Sequence, residues 1–132
     1  MIRTIRSSIT SERLARFAIV GLVGVGVNLA VLRILFGQLH WAAPLASAIS
    51  VEISIVSNFI ANNRWTFGES TISVLRFARY NLAALGGLAI TAGTFTLLLQ
   101  YTGAPYLLAD LVGIALATVW NFAASVLWTW AR

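Results

Sequence analysis

Asn58-Phe59-Ile60-Ala61-Asn62-Asn63-Arg64-Trp65-Thr66-Phe67 returns 63 residues later as Asn121-Phe122-Ala123-Ala124-Ser125-Val126-Leu127-Trp128-Thr129-Trp130. The shared string, Asn-Phe-x-Ala-x-x-x-Trp-Thr-aromatic, is hard to reach from an apolar composition alone, and its return at a fixed spacing marks an internal repeat. The same shift lays Ala15-Arg16-Phe17 on Ala78-Arg79-Tyr80, Leu22 on Leu85, Gly24 on Gly87 and Ala46 on Ala109. The repeat units run about 15–67 and 78–130. In a helix, Asn58 and Trp65 lie two turns apart on one face, and Asn121 with Trp128 repeats the arrangement.

Of the 132 residues, 59% are hydrophobic and only 10% charged, against about a quarter charged in a soluble domain. Four apolar runs, at 15–37, 43–62, 80–101 and 106–129, meet the requirement of about 20 residues for crossing a ~30 Å hydrocarbon core. The expected fold is therefore an all-α membrane protein, four transmembrane helices as two parallel two-helix repeats. Each unit holds two spans and so begins and ends on one side of the membrane, which implies an axis along the membrane normal rather than an inverted repeat. Residues 1–14 read as a polar cytoplasmic leader and 15–132 as one transmembrane domain. The first run is too long for a signal peptide, and three more spans follow it.

All nine basic residues are arginine, at positions 3, 6, 13, 16, 33, 64, 76, 79 and 132. Arg3, Arg6, Arg13 and Arg16 precede the first span, Arg64, Arg76 and Arg79 sit between spans two and three, and Arg132 ends the chain, whereas the connections around 38–42 and 102–104 have none. The positive-inside rule then puts both termini and the central loop on the cytoplasmic side of the inner (cell) membrane. On so apolar a chain the basicity reads as topology, not as nucleic-acid binding. Without cysteine, and with His40 as the single histidine, no thiolate or histidine metal cluster is expected, and no cofactor. No activated nucleophile or carboxylate pair emerges either, so no enzyme is expected.

Three charges fall within the predicted hydrocarbon: Arg33, Glu52 and Asp110. Each costs roughly 2.5–3.5 kcal/mol near a helix centre on insertion scales, which makes an intramembrane charge a functional-site hypothesis. Arg33 and Asp110 lie at similar depth near the outer face and are expected to form a structural ion pair. Glu52 lies near mid-bilayer, where it cannot snorkel, and with Asn28, Asn58, Asn62 and Asn121 it forms an expected polar path. Arg16, Arg64, Arg76 and Arg79 form a basic rim beside Trp65. Guanidinium forks match phosphate oxygens and an indole stacks on a sugar, so these five residues are an expected phosphate site.

The residues Arg16-Phe17, Ser57-Asn58-Phe59 leading to Asn62-Asn63-Arg64-Trp65-Thr66-Phe67, Arg76-Phe77, and Val119-Trp120-Asn121-Phe122 leading to Trp128 resemble the GtrA-like family of small four-span bacterial membrane proteins. The likeness covers about residues 15 to 130. It departs from the family pattern at Asn28, where an acid is frequent, and at Ala124-Ser125-Val126-Leu127, where a more polar stretch is common. The resemblance implies translocation of a polyprenyl-phosphate-linked sugar across the bacterial inner (cell) membrane for cell-surface polysaccharide, beside a membrane glycosyltransferase; it makes Arg16, Arg64, Trp65, Arg76 and Arg79 the expected lipid-phosphate site and the polar path through Asn28, Glu52, Asn58, Asn62 and Asn121 the expected translocation path. Four helices enclose little space, so a homodimer or hetero-oligomer is expected. The alternatives are an anchor that recruits a glycosyltransferase, and a proton-coupled exporter like the small multidrug-resistance proteins, whose cationic cargo the basic rim would disfavour.

Overall fold

The computed structural model describes residues 10–131; most of the leader expected at 1–14, its first nine residues, lies outside that range. Four helices follow: α1, Ser11–Leu32; α2, Ala43–Ala61; α3, Val74–Thr102; and α4, Tyr106–Ala124. Turns of π-helix extend three of them, at Arg33–Gln38, Asn62–Thr66 and Ser125–Thr129. With these extensions the four spans are 28, 24, 29 and 24 residues long, each long and apolar enough to cross a bilayer. The chain is thus an all-α membrane protein, and its helices divide between two compact units that meet between Ile72 and Ser73.

In the first unit Thr10 caps α1, its Oγ1 accepting from the Arg13 amide at 3.1 Å. That cap starts the helix at Ser11, four residues before the expected apolar run, because a capped first turn tolerates polar residues and favours an acid such as Glu12. His40 adopts a positive φ of 57° in the tight connection, and Pro44 pre-sets the first turn of α2. The buried face is made of Phe17, Val20 and Gly24 on α1 and Ala46, Ser50, Ser54, Ile55 and Phe59 on α2. Ser54 donates its hydroxyl to the Gly24 carbonyl at 2.7 Å. Directly beside it, the Asn58 carboxamide fills the space a Cβ on Gly24 would take. Only glycine permits this approach.

In the second unit Ser73 caps α3 as Thr10 caps α1, accepting from the Arg76 amide at 3.2 Å. Here too the cap lengthens the helix beyond the expected start at 80. Tyr80, Ala83 and Gly87 on α3 and Ala109, Gly113, Ala117 and Phe122 on α4 are buried, each 63 residues after a buried residue of the first unit. Asn121 lies against Gly87 as Asn58 does against Gly24, with its Oδ1 2.7 Å from where a glycine Cβ would stand. At Gly113 a Cβ would meet the Thr91 backbone carbonyl at 2.9 Å, so backbone packs on backbone there. Small and polar side chains are enclosed while Leu22, Leu29, Leu97, Leu111 and many other large aliphatics are exposed. That inversion suits a lipid solvent, which rewards close backbone packing and gives no hydrophobic drive for burying leucine.

The units differ where α2 and α4 pass into their π turns. The Thr66 hydroxyl donates to Asn62 Oδ1 at 2.7 Å. At the equivalent place Ser125 has replaced asparagine and turns its hydroxyl to the Asn121 carbonyl, leaving the buried Thr129 Oγ1 without a hydrogen-bond partner. Thr66→Val should therefore cost about 1 kcal/mol, the net worth of a buried hydrogen bond, whereas Thr129→Val should be neutral or stabilising. Thermal unfolding of the two variants in detergent checks the difference; equal losses would contradict the pairing.

Candidate functional site

Each helix pair ends in the same construction. The π turns after α2 and α4 close with wide bonds, Phe67 N to Asn62 O at 2.9 Å and Trp130 N to Ser125 O at 2.8 Å, and such turns frequently accompany functional sites. In the first unit the Arg16 guanidinium lies 5.3 Å from the centre of the Trp65 ring and donates from Nη1 to the Trp65 carbonyl at 2.9 Å. In the second, Arg79 lies 5.7 Å from the Trp128 ring centre and donates to the Trp128 carbonyl at 3.3 Å. Arginine thus satisfies a carbonyl that the end of the helix leaves open, and stacks on the indole of the same residue.

Around Arg16 the structure adds residues outside the expected site. Glu12 accepts from Arg16 Nη2 at 2.5 Å, and the Arg13 guanidinium stands over Phe67 at 5.6 Å. Thr10, Glu12, Arg13, Arg16, Trp65, Thr66, Phe67 and Gly68 line a cleft of about 300 Å³. Of the expected lipid-phosphate residues, Arg16 and Trp65 come together here. Arg64 is exposed on the π turn and does not line the cleft. Arg76 and Arg79 belong to α3 in the second unit. Arg13 was recognisable in principle: it precedes Arg16 by three residues, one helical turn.

Of the expected path, Glu52 is half-buried at the midpoint of α2, and Asn28 is half-buried on α1 one turn beyond Gly24. Asn58, Asn62 and Asn121 are seated inside the helix pairs, with the Oδ1 atoms of Asn58 and Asn121 buried and unbonded. Ser50, Ser54, Asn58, Asn62 and Thr66 recur every fourth residue and form one polar stripe down α2 and its π turn. The counterparts in the second unit are Gly113, Ala117, Asn121, Ser125 and Thr129, so the two serines of the stripe are lost there. The period-four serines were the signal for this stripe. Arg33 stands at the start of the first unit's π turn and Asp110 in the second turn of α4, on different units.

Residues 16–130 match the family model described as GtrA/DPMS, transmembrane domain. The chain belongs to that family. The GtrA/DPMS match begins at Arg16 and ends at Trp130, and so covers both arginine-tryptophan constructions. A curated relative, the dolichol-phosphate mannosyltransferase of Pyrococcus furiosus, is 35% identical over 122 residues, which is 91% of this chain and 34% of the relative. The chain thus spans about a third of that protein's length.

Because Arg16–Trp65 and Arg79–Trp128 share one geometry, double-mutant cycles with Arg→Gln and Trp→Leu should give similar couplings of about 0.5–1 kcal/mol in both units. Only the first unit should also show a salt-sensitive coupling between Glu12 and Arg16. Thermal unfolding of the single and double variants measures both; additive losses would remove the stacking interaction.

Proposed function

We propose that this protein carries a polyprenyl-phosphate-linked sugar from the cytoplasmic to the outer leaflet. The single observation that supports it most is the pair of arginine-tryptophan constructions, which offer phosphate-matching forks and indole rings at the ends of spans whose interiors hold Glu52 and Asn28. Membership in the GtrA/DPMS family and likeness to a dolichol-phosphate mannosyltransferase support a lipid-phosphate sugar as the cargo class. A charged head group crossing hydrocarbon needs polar contacts throughout, since an unpaired buried charge costs several kcal/mol or more. In this reading arginines of the rim, Arg64 among them, receive the phosphate, Glu52 meets a sugar hydroxyl or a titrating proton during passage, and the chain performs no bond chemistry.

A second reading has support in the relative's name: the chain holds a glycosyltransferase at the membrane and moves nothing. Liposomes decide between them. The purified protein should expose a polyprenyl-phosphate sugar on the far leaflet by itself; exposure only with a transferase makes it a subunit, and none in either case makes it an anchor. Within the translocation reading, Arg64→Gln should weaken lipid-phosphate binding, while Glu52→Gln should leave binding intact and slow head-group appearance by about tenfold or more, as loss of one charge-assisted bond implies. A well-folded Glu52→Gln protein moving lipid at the parental rate would make Glu52 structural.

The same reading needs both termini and the loop from Phe67 to Ser73 in the cytoplasm. Gly68 and Gly103 have φ near +63°, where a cysteine would be strained, so the probes belong beside them. A Ser70→Cys variant should label from inside only and Thr102→Cys from outside; labelling of Ser70→Cys from outside intact cells would invert the topology.

A further inference from the structure

The second unit carries an apolar groove. Leu82 and Ala83 of α3, with Trp120, Ala123, Ala124, Leu127 and Trp128 of α4 and its π turn, enclose about 360 Å³ of almost wholly apolar space. Trp120 is held at one end by its indole N–H, which donates to the Ala83 carbonyl at 2.9 Å, and by Gly86, where a Cβ would come 2.9 Å from that nitrogen. At the other end stands Trp128 with Arg79 stacked on it. The first-unit counterparts are Ile19, Val20, Ser57, Ile60, Ala61, Arg64 and Trp65. Serine stands there in place of the anchored indole, isoleucine in place of Ala123 and arginine in place of Leu127.

The arginines differ as well. Arg16 is neutralised by Glu12, but the residue one turn before Arg79 is Leu75. Among the described residues Arg79 has no carboxylate partner; it holds the Trp128 carbonyl and ring and keeps other guanidinium N–H groups to donate. A permanent cation on the same helix face as Leu82 and Ala83, and beside an apolar trough, complements a lipid with an anionic end.

We propose that this groove is the polyprenyl-phosphate site of the protein: the isoprene units nearest the phosphate lie between Trp120 and Trp128, and the phosphate oxygens take the free N–H groups of Arg79. The proposal rests on the translocation reading for its choice of lipid and deepens it by assigning the lipid to the second unit. Three alanines, Ala83, Ala123 and Ala124, leave notches for branching methyl groups, and indole faces pack well on flat unsaturated carbons. The volume is at the low end for ligand sites, about 300–1,000 Å³, and so takes a few isoprene units and not the whole chain.

The test is photo-crosslinking of the full chain in phosphatidylcholine nanodiscs, with a polyprenyl phosphate bearing a diazirine on its first isoprene units. Adducts should concentrate on residues 79–83 and 120–128, and excess decaprenyl phosphate should displace them at least tenfold better than phosphatidic acid, which shares the phosphate but has straight chains. Ala123→Leu, which fills the floor, and Arg79→Gln, which removes the cation at a half-buried site, should each lower labelling about tenfold. Arg79→Lys should recover only part of it. Adducts spread over all four helices, adducts centred on the Trp65 cleft, or equal displacement by phosphatidic acid would overturn the assignment. If Ala123→Leu fails to fold, the parental map and Arg79→Gln decide alone. Labelled groove without head-group movement in liposomes would sink the translocation reading and leave the site; movement unaffected by Arg79→Gln with no groove labelling would do the reverse.

Discussion

Each helix pair depends on the contact of one asparagine with one glycine. Asn58 on Gly24 and Asn121 on Gly87 bring carboxamide and helix backbone closer than any side chain at the glycine would allow. In lipid this counts for more than in water, because hydrocarbon supplies no drive to bury apolar side chains and association rests on close packing and polar contacts. Both asparagine Oδ1 atoms lack a conventional donor and lie against a glycine, the recurring geometry in which weak Cα–H···O contacts contribute. The glycine is needed twice, to admit the carboxamide and to present its Cα.

Below that contact the two units have diverged. In the first, the stripe from Ser50 to Thr66 is largely satisfied: Ser50 bonds the Ala46 carbonyl, Ser54 the Gly24 carbonyl and Thr66 the Asn62 carboxamide. In the second, Gly113 and Ala117 replace the serines, and Thr91 donates to the Gly87 carbonyl at 3.1 Å and reaches the Gly113 carbonyl at 3.5 Å. The first pair is joined through the Ser54 hydroxyl, the second through close backbone packing at Gly113 and the Trp120 indole on the Ala83 carbonyl. The arginine ends diverge in parallel, with a carboxylate beside Arg16 and an apolar groove beside Arg79.

Much of this was legible because the signals are dense. Long apolar runs gave the four spans, and the fourth was placed at 106–129, where helix and π turn run. Boundaries of α1 and α3 were set too late because hydropathy does not register a capped polar turn; Thr10 and Ser73 do. The pairing of Arg16 with Trp65 followed from grouping arginines with tryptophan near a membrane interface. The separation of Arg64 from that cleft did not, since sequence adjacency to Trp65 says nothing about which side of a π turn a residue takes. Trp120, read only as part of the family string, and Glu12 were given no place in the site for a shared reason. Each departs from the repeat, and attention to what recurs hides what one copy has acquired alone.

The divergence bears on how a proposed translocator would divide its work. Within the first pair Asn62 is buried and accepts from Thr66, and the Asn58 carboxamide packs on Gly24, so both contribute to packing. Glu52 and Asn28 are half-buried, and a carboxylate at the centre of α2 is costly in hydrocarbon. A head group would therefore find its polar contacts at the first unit's half-buried positions, while its lipid tail requires an apolar surface with a cation at the end, which the second unit supplies at Arg79. On this argument the two copies are kept unequal because head group and tail make opposite demands on the helix surface they pass.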